Sequence, residues 1–366
     1  MSTPQLRVIW ICGAAGAGKS VAAWSLFEEL AAAGRQVAYV DIDQLGMLYP
    51  ASDEDSRRHV LKAAALDALV PGYVAAGAQV LVVSGVVDVR VGPTLASNVD
   101  LTVCLLAPAP AVLRERILAR GWRAADAEAA VAESQLLRDA EFAEVTIDST
   151  GLSVADTVAR LRPLVAEESR AREPTGSMPE SVADLDAIMV TGPRAVGSST
   201  VAFGLAMRRW RANRKTGFVD LQQLGFMSRA GRAVTDLDLS LAQVAAMHRL
   251  MAPRDAELLV VSGQLPIWGR AALRTTLRAA PIVVVRLRAD EATLRDHVRA
   301  RARGSGPRLA GDDLLGADHR HQELMVASAV AEQAALDAAS LHDIVLETNG
   351  RTPEELIAEV ESRSNY

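Results

Sequence analysis

Aromatic residues are scarce in this chain, at 4% of 366 positions, although half of all residues are hydrophobic. Alanine therefore carries much of the apolar fraction, a compositional bias that also favours helix. Cysteine is scarcer still. Cys12 and Cys104 are the only two, and both fall in apolar runs that read as interior strands. Buried free thiols rather than a disulfide suit a cytosolic protein, so a cytoplasmic location is the expectation. No run reaches the ~18 consecutive apolar residues of a membrane span, and no membrane partner is expected. The apolar run that begins at Arg7 leads into a loop and reads as a core strand rather than a signal peptide. Positive charge is not in excess either. A net charge of −6 argues against the basic face that nucleic acid would need, so no nucleic-acid partner is expected. The length suits two units of roughly 150–180 residues, each with its own core.

What is present begins at the first strand. Arg7-Val8-Ile9-Trp10-Ile11-Cys12 is followed by Gly13-Ala14-Ala15-Gly16-Ala17-Gly18-Lys19-Ser20 and then by a helical pattern from Val21 to Ala33. This is G-x-x-x-x-G-K-[ST] in the strand–loop–helix setting that a phosphate-binding loop requires. Residues 13–21 would wrap the phosphates of ATP with backbone N–H groups at a helix N-terminus, where the macrodipole favours anions. Lys19 adds a mobile positive charge for the β- and γ-phosphates, and the Ser20 hydroxyl is placed to ligate Mg²⁺.

The chain then says the same thing again. Gly192-Pro193-Arg194-Ala195-Val196-Gly197-Ser198-Ser199 repeats the loop with its glycines displaced by 179 residues, since 192 − 13 and 197 − 18 are equal. Val40-Asp41-Ile42-Asp43-Gln44-Leu45-Gly46-Met47 answers Val219-Asp220-Leu221-Gln222-Gln223-Leu224-Gly225-Phe226. Leu81-Val82-Val83-Ser84-Gly85 answers Leu259-Val260-Val261-Ser262-Gly263. A repeat of this length is a whole domain, beyond the ~20–50 residues of solenoid periods, and reads as a tandem duplication. Lys19 becomes Ser198 and Asp43 becomes Gln222, while Ser20 and Asp41 persist as Ser199 and Asp220. The second half is therefore expected to be degenerate, because nothing in its loop replaces the lysine's charge; Arg194 could face an anion but from another position.

Strand and helix patterns alternate through residues 1–168, a Pro-, Gly-, Ser- and charge-bearing stretch at 169–184 reads as a linker, and the alternation resumes through 185–366. Strands are expected near 7–12, 36–41, 79–84, 100–106 and 144–148, then near 187–191, 216–220, 258–262, 282–287 and 343–347. Continuous apolar runs such as Val80-Leu81-Val82-Val83 read as strands buried on both faces. The fold class expected is α/β, two tandem doubly wound parallel sheets with the ligand at the carboxyl ends of the strands.

The P-loop, the Asp-bearing end of strand 2, Ser84-Gly85 after strand 3, an Arg-bearing helix after strand 4 and the closing Asp148-Ser149-Thr150-Gly151-Leu152-Ser153 together resemble small-molecule P-loop kinases. The likeness is greatest to the shikimate, gluconate and adenylylsulfate kinase group within the nucleoside monophosphate kinase-like fold. It spans nearly all of residues 6–166 and, more faintly, 186–362. It implies a five-stranded parallel sheet in the order 2-3-1-4-5 and a lid after strand 4. A carboxylate at the end of strand 2 in such kinases holds a Mg²⁺ water or accepts the acceptor's proton. Asp41 is assigned to the metal shell because Asp220 persists, and Asp43 to the substrate hydroxyl or base; capping of the next turn is the plainer role. The resemblance places Arg120 or Arg123 in the lid, with Arg138 a second such residue. The alternative for the arginines from Arg114 to Arg123 is a salt-bridged amphipathic helix, with Arg116 and Arg120 on one face.

Arg57 and Arg58 could clamp an anionic acceptor, or be solvated helix residues. Ser84 and Gly85 could lie against the substrate, or form a plain tight turn. His319 and His321 read as a polar helix start rather than a metal pair. Asp43-Gln44-Leu45-Gly46 spells D-x-x-G, but no Asn-Lys-x-Asp occurs, which argues against a GTPase. Two functions remain: an ATP- and Mg²⁺-dependent phosphotransferase with a small-molecule acceptor, or a regulatory nucleotide binder with none. Pairing of the halves within the chain, or of chains as a homo-oligomer, is the expected assembly.

Overall fold

The structure is a computed structural model and describes residues 6–89, 95, 99–166, 185–277, 281–307, 309–339 and 342–366. The expected linker at 169–184 lies outside the described residues. The strands, in chain order, are β1 (Arg7–Cys12), β2 (Val37–Asp41), β3 (Leu48–Tyr49), β4 (Val80–Ser84), β5 (Asp100–Leu106), β6 (Val145–Ile147), β7 (Ala187–Thr191), β8 (Thr216–Asp220), β9 (Phe226–Arg229), β10 (Arg232–Thr235), β11 (Leu258–Ser262), β12 (Ile282–Arg288) and β13 (Ile344–Glu347). They divide between two compact units that interleave in sequence. The first comprises Met1–Gly46, Ser52–Pro179 and Gln223–Leu239; the second comprises Met47–Ala51, Glu180–Gln222 and Ser240–Tyr366. Each unit is thus completed by a short segment from the other half of the sequence, which the repeat alone did not disclose.

In the first unit the sheet runs β10-β9-β2-β4-β1-β5-β6. Its parallel part, β2-β4-β1-β5-β6, is the expected order 2-3-1-4-5. Every residue of β1 and β4 is buried, as their unbroken apolar runs require of strands covered on both faces. Even Arg7 is buried, its charge matched by an ion pair to Asp100 and its Nε bonded to Leu164 O at 2.8 Å. The helices α1 (Lys19–Ala32), α2 (His59–Ala75), α3 (Pro110–Ala119), α4 (Ala124–Asp139) and α5 (Val154–Ala166) connect the strands. Beside β2 lies the antiparallel hairpin β9–β10, in register Ala38↔Met227. It turns through Ala230 and Gly231, at φ 50° and 73°, the two positive values of a type I′ turn. Phe226 anchors it with its ring 4.8 Å from Trp24 and 6.0 Å from Tyr39. Ser228 Oγ accepts from Val37 N and donates to Arg35 O.

The second unit has the sheet β13-β12-β7-β11-β8-β3, the same 2-3-1-4-5 order with one added edge strand. That strand, β3, pairs antiparallel with β8 as Leu48↔Gly217 and Tyr49↔Thr216. The Tyr49 ring lies 4.7 Å from Trp210 of α6 (Ser198–Arg211). No helix among the described residues is long and apolar enough to cross a membrane.

Candidate functional site

β1 ends in the core, and the chain must turn back sharply beneath β5. Gly13 makes this possible, since a Cβ there would stand 2.6 Å from Leu106 O. Gly18, at φ 94°, opens α1 with no side-chain cap, so the first-turn N–H groups are left for an anion. Lys19 Nζ curls back over the loop to Ala14 O at a long 3.4 Å. Behind the loop, Ser20 Oγ donates to Asp41 Oδ2 at 3.0 Å, and Asp41 Oδ1 accepts from Asp43 N at 3.0 Å. Burial, then the charge of Asp43, raises the Asp41 carboxyl above the usual carboxylate range. A cation at this carboxylate would offset both effects. The oxygens of Ser20 and Asp41 are the hard donors Mg²⁺ prefers, and an ion that keeps several waters needs no larger protein cage. Among the described residues, no group of three or more His, Cys, Asp or Glu is placed to hold a metal ion.

Two arginines reach this region. Arg116 Nη1 donates to Gly16 O and Ala17 O, each at 3.3 Å. Arg138 Nη2 donates to Ala107 O at 2.7 Å and Pro108 O at 2.8 Å, in the turn after β5. Arg120 instead ends α3, and Arg123 is 83% exposed and paired with Asp126 at 3.0 Å.

Asp43 has a partner that sequence reasoning missed. Lys62 on α2 holds its Nζ 2.5 Å from Asp43 Oδ1, the lysine side chain 8% exposed and the aspartate 40%. Gly46 makes room for it, because a Cβ there would lie 2.7 Å from Lys62 Cγ and Cε. The Gly that follows Asp43 three residues later was the available signal, though it did not name the lysine. Arg57 is exposed, 3.9 Å from Glu133. Arg58 precedes α2 at φ 58°, its Nη1 3.4 Å from Ser56 O. Ser84 Oγ is tied to Tyr39 OH at 2.9 Å. A Cβ on Gly85 would meet Ile42 Cγ2 at 2.1 Å, so Ile42 fills the space this glycine leaves. Val21 is exposed on α1. Burial pushes the thiols of Cys12 and Cys104 up to about 12, which leaves them as inert packing groups.

The second loop repeats the backbone with other side chains. Gly192 passes beneath Leu287 O as Gly13 does beneath Leu106 O. Ser199 Oγ donates to Asp220 Oδ2 at 2.8 Å. Ser198 stands for Lys19. Ten residues beyond Leu287, as Arg116 is beyond Leu106, His297 Nδ1 bonds Ala195 O at 2.9 Å. Gln333 Nε2 donates to Ala289 O at 2.6 Å, where Arg138 serves Pro108 O.

Residues 9–138 match the model of the AAA domain family. No curated protein matches the chain. Among solved structures, an adenylylsulfate (APS) kinase of Mycobacterium tuberculosis in complex with AMPPNP and APS is 19% identical, with 50% of this chain and 99% of that one covered and a TM-score of 0.36. A sugar kinase of a Janibacter species is 17% identical, with 50% and 95% covered and a TM-score of 0.34. A gluconokinase of Sinorhizobium meliloti is 18% identical, with 49% and 90% covered and a TM-score of 0.31. The matched segment, 9–138, holds the intact loop and spans about a third of the chain.

Proposed function

We propose that the chain is an ATP- and Mg²⁺-dependent phosphotransferase for a small hydroxylated acceptor, with the first unit active and the second a tandemly duplicated, degenerate pseudo-kinase. The observation that carries this reading is the joint change of the groups around the two loops. Lys19, Arg116, Arg138 and Asp43 give way to Ser198, His297, Gln333 and Gln222, while Gly13, Gly18 and the serine–aspartate bond have counterparts in Gly192, Gly197 and Ser199–Asp220.

The loop amides and Lys19 would bind the phosphates, and Ser20 with Asp41 would hold the Mg²⁺. Bound MgATP supplies the phosphoryl group to be transferred. Arg116 and Arg138, with Arg120 or Arg123 in the lid, would stabilise charge spread over that group, the largest part of catalysis in this chemistry. Asp43 would orient the acceptor hydroxyl and take its proton at Oδ2, the oxygen turned from Lys62. Lys62 fixes the carboxylate's direction. Arg57 and Arg58 remain candidates for an anionic acceptor, and Ser84 and Gly85 for its backbone contact.

An ATP-consumption screen over hydroxylated metabolites tests this, with wild type and Lys19→Ala side by side. Acceptor-dependent turnover lost in the variant is expected. A regulatory nucleotide binder is the second reading, favoured by β4 ending in Ser84, tied to Tyr39, where many ATPases place an acid. It requires slow hydrolysis with no acceptor dependence and no change on Asp43→Asn; that result would overturn the kinase.

A further inference from the structure

β2 is a strand that its own half of the sequence leaves open. Four of its five residues are buried, and an apolar strand with a free edge invites pairing with another chain. Residues from the other half fill that edge. Met227 pairs with Ala38, and Phe226, Met227 and Ser228 are each 2% exposed or less. The Phe226 ring rests against Trp24 and Tyr39. Ser228 Oγ accepts from the strand's first amide, Val37 N, at 3.1 Å and donates to Arg35 O at 2.6 Å. Arg229 Nη1 adds a bond to Ala76 O at 3.3 Å.

β8 shows the same arrangement with the halves exchanged. All five of its residues are buried, and its edge is filled from the first half. Leu48 pairs with Gly217, and Phe218 N donates to Met47 O at 2.8 Å. Leu48 and Met227 stand 179 residues apart in the sequence, and so do Ala38 and Gly217. The two contacts are therefore one pairing made twice, each half giving the segment after its second strand and receiving the other's. Reciprocal exchange of an equivalent element is what holds swapped dimers together. The two segments are not interchangeable, however. Pro50 stands at the position of Arg229 and, without an N–H, cannot continue a ladder. Arg229 instead pairs with Arg232 in the β9–β10 hairpin. A hairpin thus goes to β2 and a two-residue strand to β8, so each edge is matched to the opposite half rather than to a second copy of its own.

We propose that the two halves of this chain are a binding pair, each closing the other's sheet edge, and that they stay joined without the peptide between them. The occupant of the β2 edge is the segment 226–235, and that of the β8 edge is 47–49. Strand addition supplies main-chain bonds, and each segment brings one aromatic anchor, Phe226 on Trp24 and Tyr49 on Trp210. This concerns assembly alone and does not rest on any reaction assigned to the first unit.

The test uses full-length protein with a protease recognition sequence inserted between positions 169 and 184, cut after folding. At micromolar concentration the cut halves should co-elute at the mass of one chain. Phe226→Ala should weaken their association by about 10²-fold or more, the scale of removing a buried ring. The released first half should then aggregate through its open edge. Ser228→Val keeps the ring but leaves Val37 N and Arg35 O without their bonds, for a loss of roughly tenfold. It decides the matter if the alanine variant does not fold. Leu161→Ala, buried in the first unit on α5 and outside both pairings, should lower thermal stability while the cut halves stay joined. Separation of the wild-type halves would overturn the proposal, as would undiminished association in both hairpin variants or equal weakening by Leu161→Ala. Elution of the cut protein at twice the mass would also overturn it, by showing that a second chain fills the edges.

Discussion

The two loops of this chain can be laid side by side as a natural substitution series. Each leaves a buried strand through a glycine that clears a carbonyl by less than a Cβ would need, at 2.6 and 2.5 Å. Each opens its helix on a left-handed glycine, Gly18 at φ 94° and Gly197 at φ 102°. Each ties its helix to the next strand by a serine–aspartate bond, at 3.0 and 2.8 Å. What differs is charge. The features kept in both are those that packing demands, so the Ser20–Asp41 bond alone is no mark of metal chemistry. The charged groups found only around the first loop cost desolvation and side-chain entropy, and repay it only where an anion arrives.

The largest expected effect sharpens this contrast directly. Wild type should take up one tight ATP per chain, and Lys19→Ala should remove that site and lower acceptor-dependent turnover by ~10³-fold, the scale of losing a preorganised donor to developing charge. Ser198→Ala should change neither. Two equivalent tight sites in calorimetry would break the comparison at once.

Next in size is the Asp43–Lys62 pair. Asp43→Asn should preserve ATP affinity and reduce turnover by roughly 10²-fold, the usual scale for a general base. Lys62→Met should reproduce part of that loss in kcat, with KM for ATP unchanged, and Lys62→Arg should restore much of it by keeping the pair. Equal impairment by methionine and arginine would assign Lys62 to packing.

A smaller effect is expected where an arginine is exchanged for its counterpart. Arg116→His makes the first loop resemble the second at one carbonyl. Losing a charge-assisted donor at about 1.5–3 kcal/mol would weaken ATP binding by roughly ten- to a hundredfold. Unchanged binding would mean that Arg116 only braces the loop carbonyls it touches at 3.3 Å.

Much of this contrast was legible in the sequence, and the illegible part has a common cause. The loop, the 179-residue repeat of its glycines and the parallel core follow from local patterns: glycine spacing, unbroken apolar runs and strand–helix alternation. The lysine–aspartate exchanges showed up by simple alignment at that offset. Lys62 and Ser228 did not, because each acquires meaning from a partner 19 or 191 residues away, and on its own element reads as an ordinary polar residue. The hairpin β9–β10 was missed for a different reason: its turn is Ala230-Gly231, without the Asn or Asp that announces such a turn. The short strand β3 offers only two residues of pattern.

The smallest expected effect concerns backbone rather than charge. Gly16, at φ 81°, is replaced in the second loop by Ala195, which holds the same left-handed conformation at φ 62°. An L-residue with a Cβ costs about 1–2 kcal/mol there, while a glycine forfeits about 0.5–1 kcal/mol through the greater freedom of its unfolded chain. Ala195→Gly should therefore stabilise the protein by a net ~0.5–1 kcal/mol, seen as a higher urea midpoint with an unchanged slope. The reverse exchange, Gly16→Ala, should cost more than this, because its new Cβ would stand 3.2 Å from Ile117 Cδ1 and 3.3 Å from Cγ1. If Ala195→Gly instead lowers the midpoint, the methyl group contributes packing that outweighs the strain. The second loop would then have been refitted to its present residues, with the left-handed alanine an adapted position and not a remnant.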